Sequence, residues 1–591
     1  MASDHSYAAW VKQFDTVGAR ERIAFRRDLR GLRRHPLISI VVPVYNPDLV
    51  HLSSAIDSVR SQIYERWELC MADDASTDAS VARMLKQYAT ADSRIKITFR
   101  ERNGHIVACS NSALELATGE WVALLDQDDL LAEHALAVVA ATIEEHPEAG
   151  LIYSDEDKID QTGARCCPFF KSDWNPELLL GQNYVSHLGI YRCALLVEIG
   201  GFREGYEGSQ DYDLALRCSE KLHPAQIRHI PRVLYHWRMV EGSAAAVAEA
   251  KPYAAKAARL AIADHLQRKN IDGAVVPCPQ NREWHRVIYP LRSPSPLVSI
   301  IIPTRDQAAL LQRCLTSIRE KTDYAPIEIV IVDNGSTKPE THAFLHDLAL
   351  DPRIQIVTDG AEFNFSRLIN RGVRIARGEI LAFVNDDIET DNSDWLREMV
   401  SRAIRPEVGA VGARLWYPDG RLQHAGVVLG LHGVARHAFQ RFLPQPVALM
   451  NRTFILSQNY SAVTAACMVL RKTLFDDVGG FDENLPNNFN DVDFCLRLRE
   501  RGWQIIWTPY ADLIHQESAS RGRHSDSAER AHLLRDMAYL QEKWGEQLRN
   551  DPFYSPNLSD SDAFALAWPP RILPLSNGLK STGDEVLVAS G

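Results

Sequence analysis

The chain has 591 residues, 46% of them hydrophobic and 24% charged, and a formal net charge of -12. That length exceeds what one core organises, and the acidic balance excludes a sequence-independent nucleic-acid binder, which needs a basic face to displace counterions. There is no uncharged apolar run near the roughly 18 residues of a membrane span, no signal-peptide segment in residues 1 to 35, and no Cys-x-x-Cys pair among ten cysteines, so a cytoplasmic protein with reduced core thiols is expected.

Residues 1–35 form a basic leader, eight Lys/Arg against four Asp/Glu, with Trp10, Phe14 and Phe25 near helical spacing. Two readings stand for it: a helix packed on the first domain, or a peripheral contact with the inner membrane face. Ile38 to Val42 is a β-branched run stopped by Pro43, a buried strand, followed by a helix from about Leu52 to Gln62. Trp67 to Ala72 is the next strand and runs into Asp73-Asp74-Ala75-Ser76-Thr77. Ile95 to Phe99 and Trp121 to Leu125 follow, the latter ending at Asp126-Gln127-Asp128-Asp129. Strand, helix, strand predicts a parallel sheet, and acidic residues where its strands stop point to one crevice beyond their carboxyl ends.

Residues 244–269 read as a helix and 270–295 as a connector. Pro36-Leu37-Ile38-Ser39-Ile40-Val41-Val42-Pro43 then returns 260 residues later as Pro296-Leu297-Val298-Ser299-Ile300-Ile301-Ile302-Pro303. The second copy keeps the order: strand Val298 to Ile302, strand Ile327 to Val332 into Asp333-Asn334, strand Ile380 to Val384 into Asn385-Asp386-Asp387. About twenty residues are inserted around positions 416–454. Ala528 to Leu548 reads as an amphipathic helix, followed by a tail over the surface. The expected domains are 36–245 and 296–522, with helical segments at 1–35, 246–295 and 523–591.

Asp126 and Asp128 at a strand end can both reach one hard cation. An isolated Asp-x-Asp is more often a solvated turn that caps a helix; here other motifs accompany it. Pro43-Val44-Tyr45-Asn46 with Asp73-Asp74, and Gln210-Asp211-Tyr212-Asp213 with Arg217, resemble the motifs of glycosyltransferase family 2. So do their second-copy partners, including Asn490-Asp491-Val492-Asp493 with Arg497. Phrases such as Phe363-Asn364-Phe365-Ser366 and Gln423-His424-Ala425-Gly426 resemble the tandem enzymes of bacterial capsule and O-antigen synthesis.

The resemblance implies an α/β protein of two Rossmann-like GT-A domains, each a mostly parallel open sheet, and a bifunctional inverting transfer of sugars to a lipid-linked surface polysaccharide. It implies UDP-, dTDP- or GDP-linked donors and one Mn2+ or Mg2+ per active domain. Asp211 and Asp491 match the catalytic base. Pro43, Tyr45, Asp73, Asp74 and Asp126 match nucleotide-binding positions, with Pro303, Arg305, Asp333, Asn334 and Asn385 in the second copy. Metal ligands are expected at Asp126, Asp128 and His236, and at Asn385, Asp387 and His515. Asp213 with Arg217 reads as an ion pair four residues apart on a helix. Capping alone stays open for Asp73 and Asp74, as does a structural role for His236. Asn385 brings no charge, so the alternative is one catalytic domain with the second as an acceptor-binding module.

Overall fold

The computed structural model of the chain describes residues 6–239, 252–443, 452–516 and 527–579. The first domain is a nine-stranded sheet built of β1 (Ile38–Val44), β2 (Trp67–Asp73), β3 (Ile95–Phe99), β4 (Trp121–Leu124), β5 (Leu130–Leu131), β6 (Leu151–Ile159), β7 (Arg165–Phe169), β8 (Gly189–Arg192) and β9 (Ile227–Arg238). Its order is β3-β2-β1-β4-β8-β6-β9-β5, with β7 paired to β6. The expected parallel half is present: β1 pairs with β2 and β4, and β2 with β3, all parallel. The other half is mixed, because β8 runs antiparallel to both β4 and β6. That reversal matters for function. It places the loop that enters β8 beside the end where β4 stops.

The second domain repeats the plan. Val298–Thr304 pairs in parallel with Ile327–Asp333 and Ile380–Val384, and Cys467–Arg471 lies antiparallel beside Ile380–Val384. Near-continuous apolar runs suit strands covered on both faces, and helices such as Leu49–Arg60 and Ala308–Lys321 provide that cover. The Gly-Glu pairs before the acidic loops have a steric cause. A Cβ on Gly119 would come 2.5 Å from the Leu37 carbonyl oxygen, and one on Gly378 would come 2.6 Å from Ser299 Oγ. Those serines hold a buried carboxylate, Ser39 Oγ donating to Glu68 at 2.6 Å and Ser299 Oγ to Glu328 at 2.5 Å.

The leader is two helices, Tyr7–Phe14 and Ala19–Leu29, which bury Trp10, Ala24, Phe25 and Leu29. The connector is the helix Pro252–Arg268 and an antiparallel hairpin, Ala274–Pro277 with His285–Ile288; the start of the predicted helix, 244–251, lies outside the described residues. The predicted C-terminal helix is Ser527–Trp544, ending in a 3-10 turn.

The tail is a strap rather than a surface wanderer. Asp551 accepts from the Leu429 N–H at 2.7 Å in the second domain, and Asn557 Nδ2 donates to Asp155 at 3.0 Å in the first. Farther on, Trp10 Nε1 donates to the Ala567 carbonyl at 3.1 Å. Between the domains Glu177, 4% exposed, meets Arg402 at 2.5 Å and Arg405 at 2.8 Å. The two repeats therefore share one apolar cluster and a buried ion network.

Candidate active sites

In the first domain β4 delivers Asp126 to the carboxyl edge. The chain turns at once into β5, which pairs with the end of β9 through Leu130 and His236, and Leu131 and Tyr235. Strand alternation sends Tyr235 and Trp237 to one face and His236 to the other. Tyr235 donates its hydroxyl to Asp129 Oδ2 at 2.5 Å, and the Arg238 N–H donates to Oδ1 at 2.8 Å. His187, in the loop entering β8, stacks on Tyr235 with centroids 4.4 Å apart and sets Nε2 3.9 Å from Asp126 Oδ2. Asp126, Asp129 and His187 offer ligand atoms within 4.8 Å of one another, the cluster of this kind found among the described residues.

Burial and the Asp126 charge push the Asp129 carboxyl up. Burial alone would lower His187, but Glu156, Asp126 and Asp129 outweigh it and push the imidazole up to about 9. A cation could take the place of that proton, since a histidine ligand must be neutral. Asp211 opens the helix Gln210–Lys221 and accepts from Asn183 Nδ2 at 2.8 Å. Burial raises its carboxyl and the His187 charge pulls it back. One imidazole thus interacts with Asp126, Asp129 and Asp211, joining the acidic loop to the helix start.

Beyond the end of β1, Gln127 clasps the backbone of Tyr45, accepting from its N–H at 2.9 Å and donating to its carbonyl at 3.3 Å. Tyr45 is 45% exposed. Pro43 pairs with Ala72 at the same edge. Asp74 is occupied structurally, ion-paired with Arg100 at 2.7 Å and accepting from the Gly104 N–H at 3.0 Å. Asp73 accepts from the Ser76 N–H at 3.3 Å through Oδ2, while its buried Oδ1 has no hydrogen-bond partner.

The second domain holds an open cleft of about 660 Å³. Pro303, Arg305, Asn334, Asn385, Asp387, Asp491 and His515 all line it. Asp333 sits behind, buried, accepting from the Ser336 N–H at 3.0 Å. His515 Nε2 lies 3.0 Å from Asp387 Oδ1 and 3.3 Å from the Asn385 amide, and Gln423 fixes its Nδ1 at 2.8 Å. Asn334 donates to the Asp359 and Ala361 carbonyls, at 2.9 and 3.0 Å, which leaves its buried Oδ1 without a partner. Asp491 accepts from the Ala465 N–H at 3.2 Å. Phe489, before its helix, is held at φ 59°, strain of the kind that collects at functional sites. The Phe363-Asn364-Phe365-Ser366 phrase pins this loop: Ser366 Oγ donates to the Leu485 carbonyl at 2.6 Å and the Phe365 N–H to that of Pro486 at 2.7 Å. The inserted hairpin Val427–Leu429 with Ala435–His437 adds a further wall.

Two first-domain expectations meet a different geometry. His236 gives Nδ1 to Asp157 Oδ1 at 2.6 Å, on the face away from Tyr235. The register explains it: Leu130 faces His236 while Glu389 faces Ile514, so the first-domain equivalent of His515 is Trp237. Asp128 lies outside the Asp126, Asp129 and His187 cluster, and its carbonyl accepts from Arg238 Nε at 2.7 Å. The residues the sequence reading missed are Asp129 and His187. The ion pair of Asp213 with Arg217 is present at 2.8 Å, as is Asp493 with Arg497.

The sequence model of Glycosyl transferase family 2 matches residues 39–199 and 299–479, both repeats. The chain belongs to glycosyl transferase family 2. It is 48% identical to the uncharacterized protein y4gI of Sinorhizobium fredii over 95% of its own length and 61% of that protein's. It is 40% identical to the O-antigen biosynthesis protein RfbC of Myxococcus xanthus, over 94% of this chain and 42% of that one. The chain thus spans less than two thirds of these longer relatives. A solved mannosyltransferase of Pyrobaculum calidifontis, in complex with GDP-Man and Mn2+, aligns over 43% of this chain and 67% of that one with a TM-score of 0.32 and 21% identity. Each repeat of this family 2 chain is a GT-A-type α/β domain. Among the described residues no helix is long and apolar enough to cross a membrane.

Proposed function

We propose that this family 2 chain is a bifunctional inverting glycosyltransferase that extends a bacterial surface polysaccharide on a lipid-linked acceptor from nucleotide-sugar donors. The observation that carries it is the second-domain cleft, where every expected contact except Asp333 converges on one space of about 660 Å³. Relatives named for O-antigen biosynthesis and for L-rhamnosyl transfer to a decaprenol-linked sugar support the polysaccharide and lipid-linked parts.

In each domain the proposed base stands in the first turn of a helix, Asp211 in Gln210–Lys221 and Asp491 in Asn490–Glu500. Asp73 Oδ1 and Asn334 Oδ1, buried acceptors without partners, would take a donor N–H or hydroxyl of the nucleoside. Asp211 and Asp491 would accept the proton of the incoming hydroxyl. The donor sets fit a divalent cation: Asp126, Asp129 and His187 in the first domain, Asn385, Asp387 and His515 in the second. Bound there, Mn2+ or Mg2+ would neutralise charge on the departing nucleoside diphosphate.

The test uses the full chain, a panel of UDP-, dTDP- and GDP-sugars and a short lipid-linked acceptor, with products read by mass spectrometry. Asp211→Ala and Asp491→Ala should each remove a different added sugar, lowering its rate by about 10²- to 10⁴-fold. Full transfer by both variants would sink the assignment. The alternative, a second domain that only binds acceptor, draws on Asn385 and Ile388, which stand where the first domain has Asp126 and Asp129. It predicts that Asp491→Ala changes no product.

A further inference from the structure

The second leader helix, Ala19–Leu29, has two faces of opposite chemistry. Ala24, Phe25 and Leu29 are buried, and Phe25 packs on His134 with ring centroids 5.6 Å apart. At 100° per residue the opposite face is centred on Ile23, with Arg20, Arg26, Arg27 and Arg30 within about 60° on either side. Ile23 is 69% exposed, and all four arginines are exposed. Arg27 pairs with Asp28 at 2.7 Å; Arg20, Arg26 and Arg30 have no ion-pair partner among the described residues. Arg33 and Arg34 follow directly and are exposed too.

In a chain of net charge -12, such a cationic face around one protruding aliphatic side chain is unlike its surroundings. We propose that this face docks the protein on the anionic surface of a lipid bilayer. The arginines meet the headgroup phosphates and Ile23 enters the boundary between headgroups and acyl chains, the arrangement of an interfacial amphipathic helix. Nucleic acid is the poorer partner: it has no use for an exposed isoleucine, and the rest of the acidic chain repels it. Because Phe25 and Leu29 tie the helix to the first domain, docking would hold both active sites at a membrane. The inference does not require the acceptor to be lipid-linked.

The test is co-sedimentation of the full chain with vesicles of phosphatidylcholine alone or mixed with phosphatidylglycerol. Each basic side chain near an anionic surface raises partitioning by roughly five-fold. Wild type should sediment with the mixed vesicles and not with phosphatidylcholine, and release as salt is raised. The triple variant Arg20→Glu, Arg26→Glu, Arg30→Glu should lose sedimentation by at least 100-fold while keeping its thermal melt and its transfer to a water-soluble acceptor. Ile23→Ser should weaken binding by several-fold without altering its salt dependence. The inference is overturned if wild type does not sediment with mixed vesicles, if the triple variant binds as wild type does, or if an RNA or DNA duplex binds this face and competes the vesicles away.

Discussion

The two domains set their acidic loops against different histidines, and the difference is one of register. In the second domain, His515 ends its strand level with Ile388 and reaches Asp387 directly. In the first, the histidine of the corresponding strand is one position earlier, so it turns to the other face and binds Asp157. Trp237 takes the place level with His515, and a histidine from elsewhere, His187, comes to Asp126 from the loop before β8. A one-residue shift in a strand moves a histidine across the sheet, and here a different segment brings His187 to the acidic loop.

The largest test of the comparison separates the domains. Glu177 belongs to the first and binds Arg402 and Arg405 of the second. Removing one partner of a buried ion pair costs about 3–5 kcal/mol. Because Arg402 keeps Glu398 at 2.8 Å, Glu177→Ala should destabilise by about 3 kcal/mol, read as a lower midpoint in denaturant. An unchanged midpoint would mean that the domains do not depend on this contact.

The next test addresses the histidines themselves. His187→Ala should weaken Mn2+ binding to the first domain by roughly 10–100-fold, about 1.4–2.7 kcal/mol, whereas His236→Ala should leave it within about two-fold. Calorimetric titration of Mn2+ into the two variants checks this without reference to turnover. The reverse ranking would restore His236 as the ligand and discard the register argument.

Much of this was readable in advance, and the failures have a common cause. A short apolar run ending in Asn identified Ile380–Val384 to the residue, because a strand buried on both faces leaves a near-continuous hydrophobic signature. The convergence of the second-domain motifs on one cleft was legible because they lie at strand ends and a helix start, where position follows from topology. His187 was not legible. It depends on β8 running antiparallel, a tertiary fact that no local pattern around Ser186-His187-Leu188 encodes. Asp129 was visible but resembled the solvated end of its turn until Tyr235 closed over it. The role of His236 stayed open in the sequence because spotting a histidine near a strand end does not say which face it occupies.

Where the domains agree, the comparison can be sharpened by acid. Glu68 is buried, which would raise its carboxyl, but Lys96, Ser39 and Thr118 outweigh that and hold it down at about 2. Glu328 is likewise lowered: Ser299 and Arg377 overcome its burial. A carboxyl depressed in the fold adds stability that is complete above its unfolded value, near 4.5, and is lost as pH falls towards about 2. Glu68→Gln should therefore cost about 1–2 kcal/mol at pH 7 and little at pH 2. Denaturant midpoints across that range check it, and Glu328→Gln should follow the same course.

The smallest effect is also the most discriminating between the domains. Asn385 occupies the place of Asp126, so the second-domain donor set has one negative charge fewer at that position. Asn385→Asp supplies it in a side chain of nearly the same shape, 3.3 Å from His515 Nε2 and already lining the cleft. The added charge will not act in isolation, because Asp386 and Asp387 are adjacent and burial already pushes Asp386 up to about 6. Mutual repulsion should consume part of the gain, leaving Mn2+ binding tighter by roughly five-fold, about 1 kcal/mol. If the second domain holds a cation through Asn385, Asp387 and His515, calorimetry should show that increase while nucleotide affinity in chelator stays constant. If Asn385→Asp instead weakens Mn2+ binding, or leaves none to measure, the cleft does not hold a metal at this position. The two domains would then differ in chemistry as well as in histidine register.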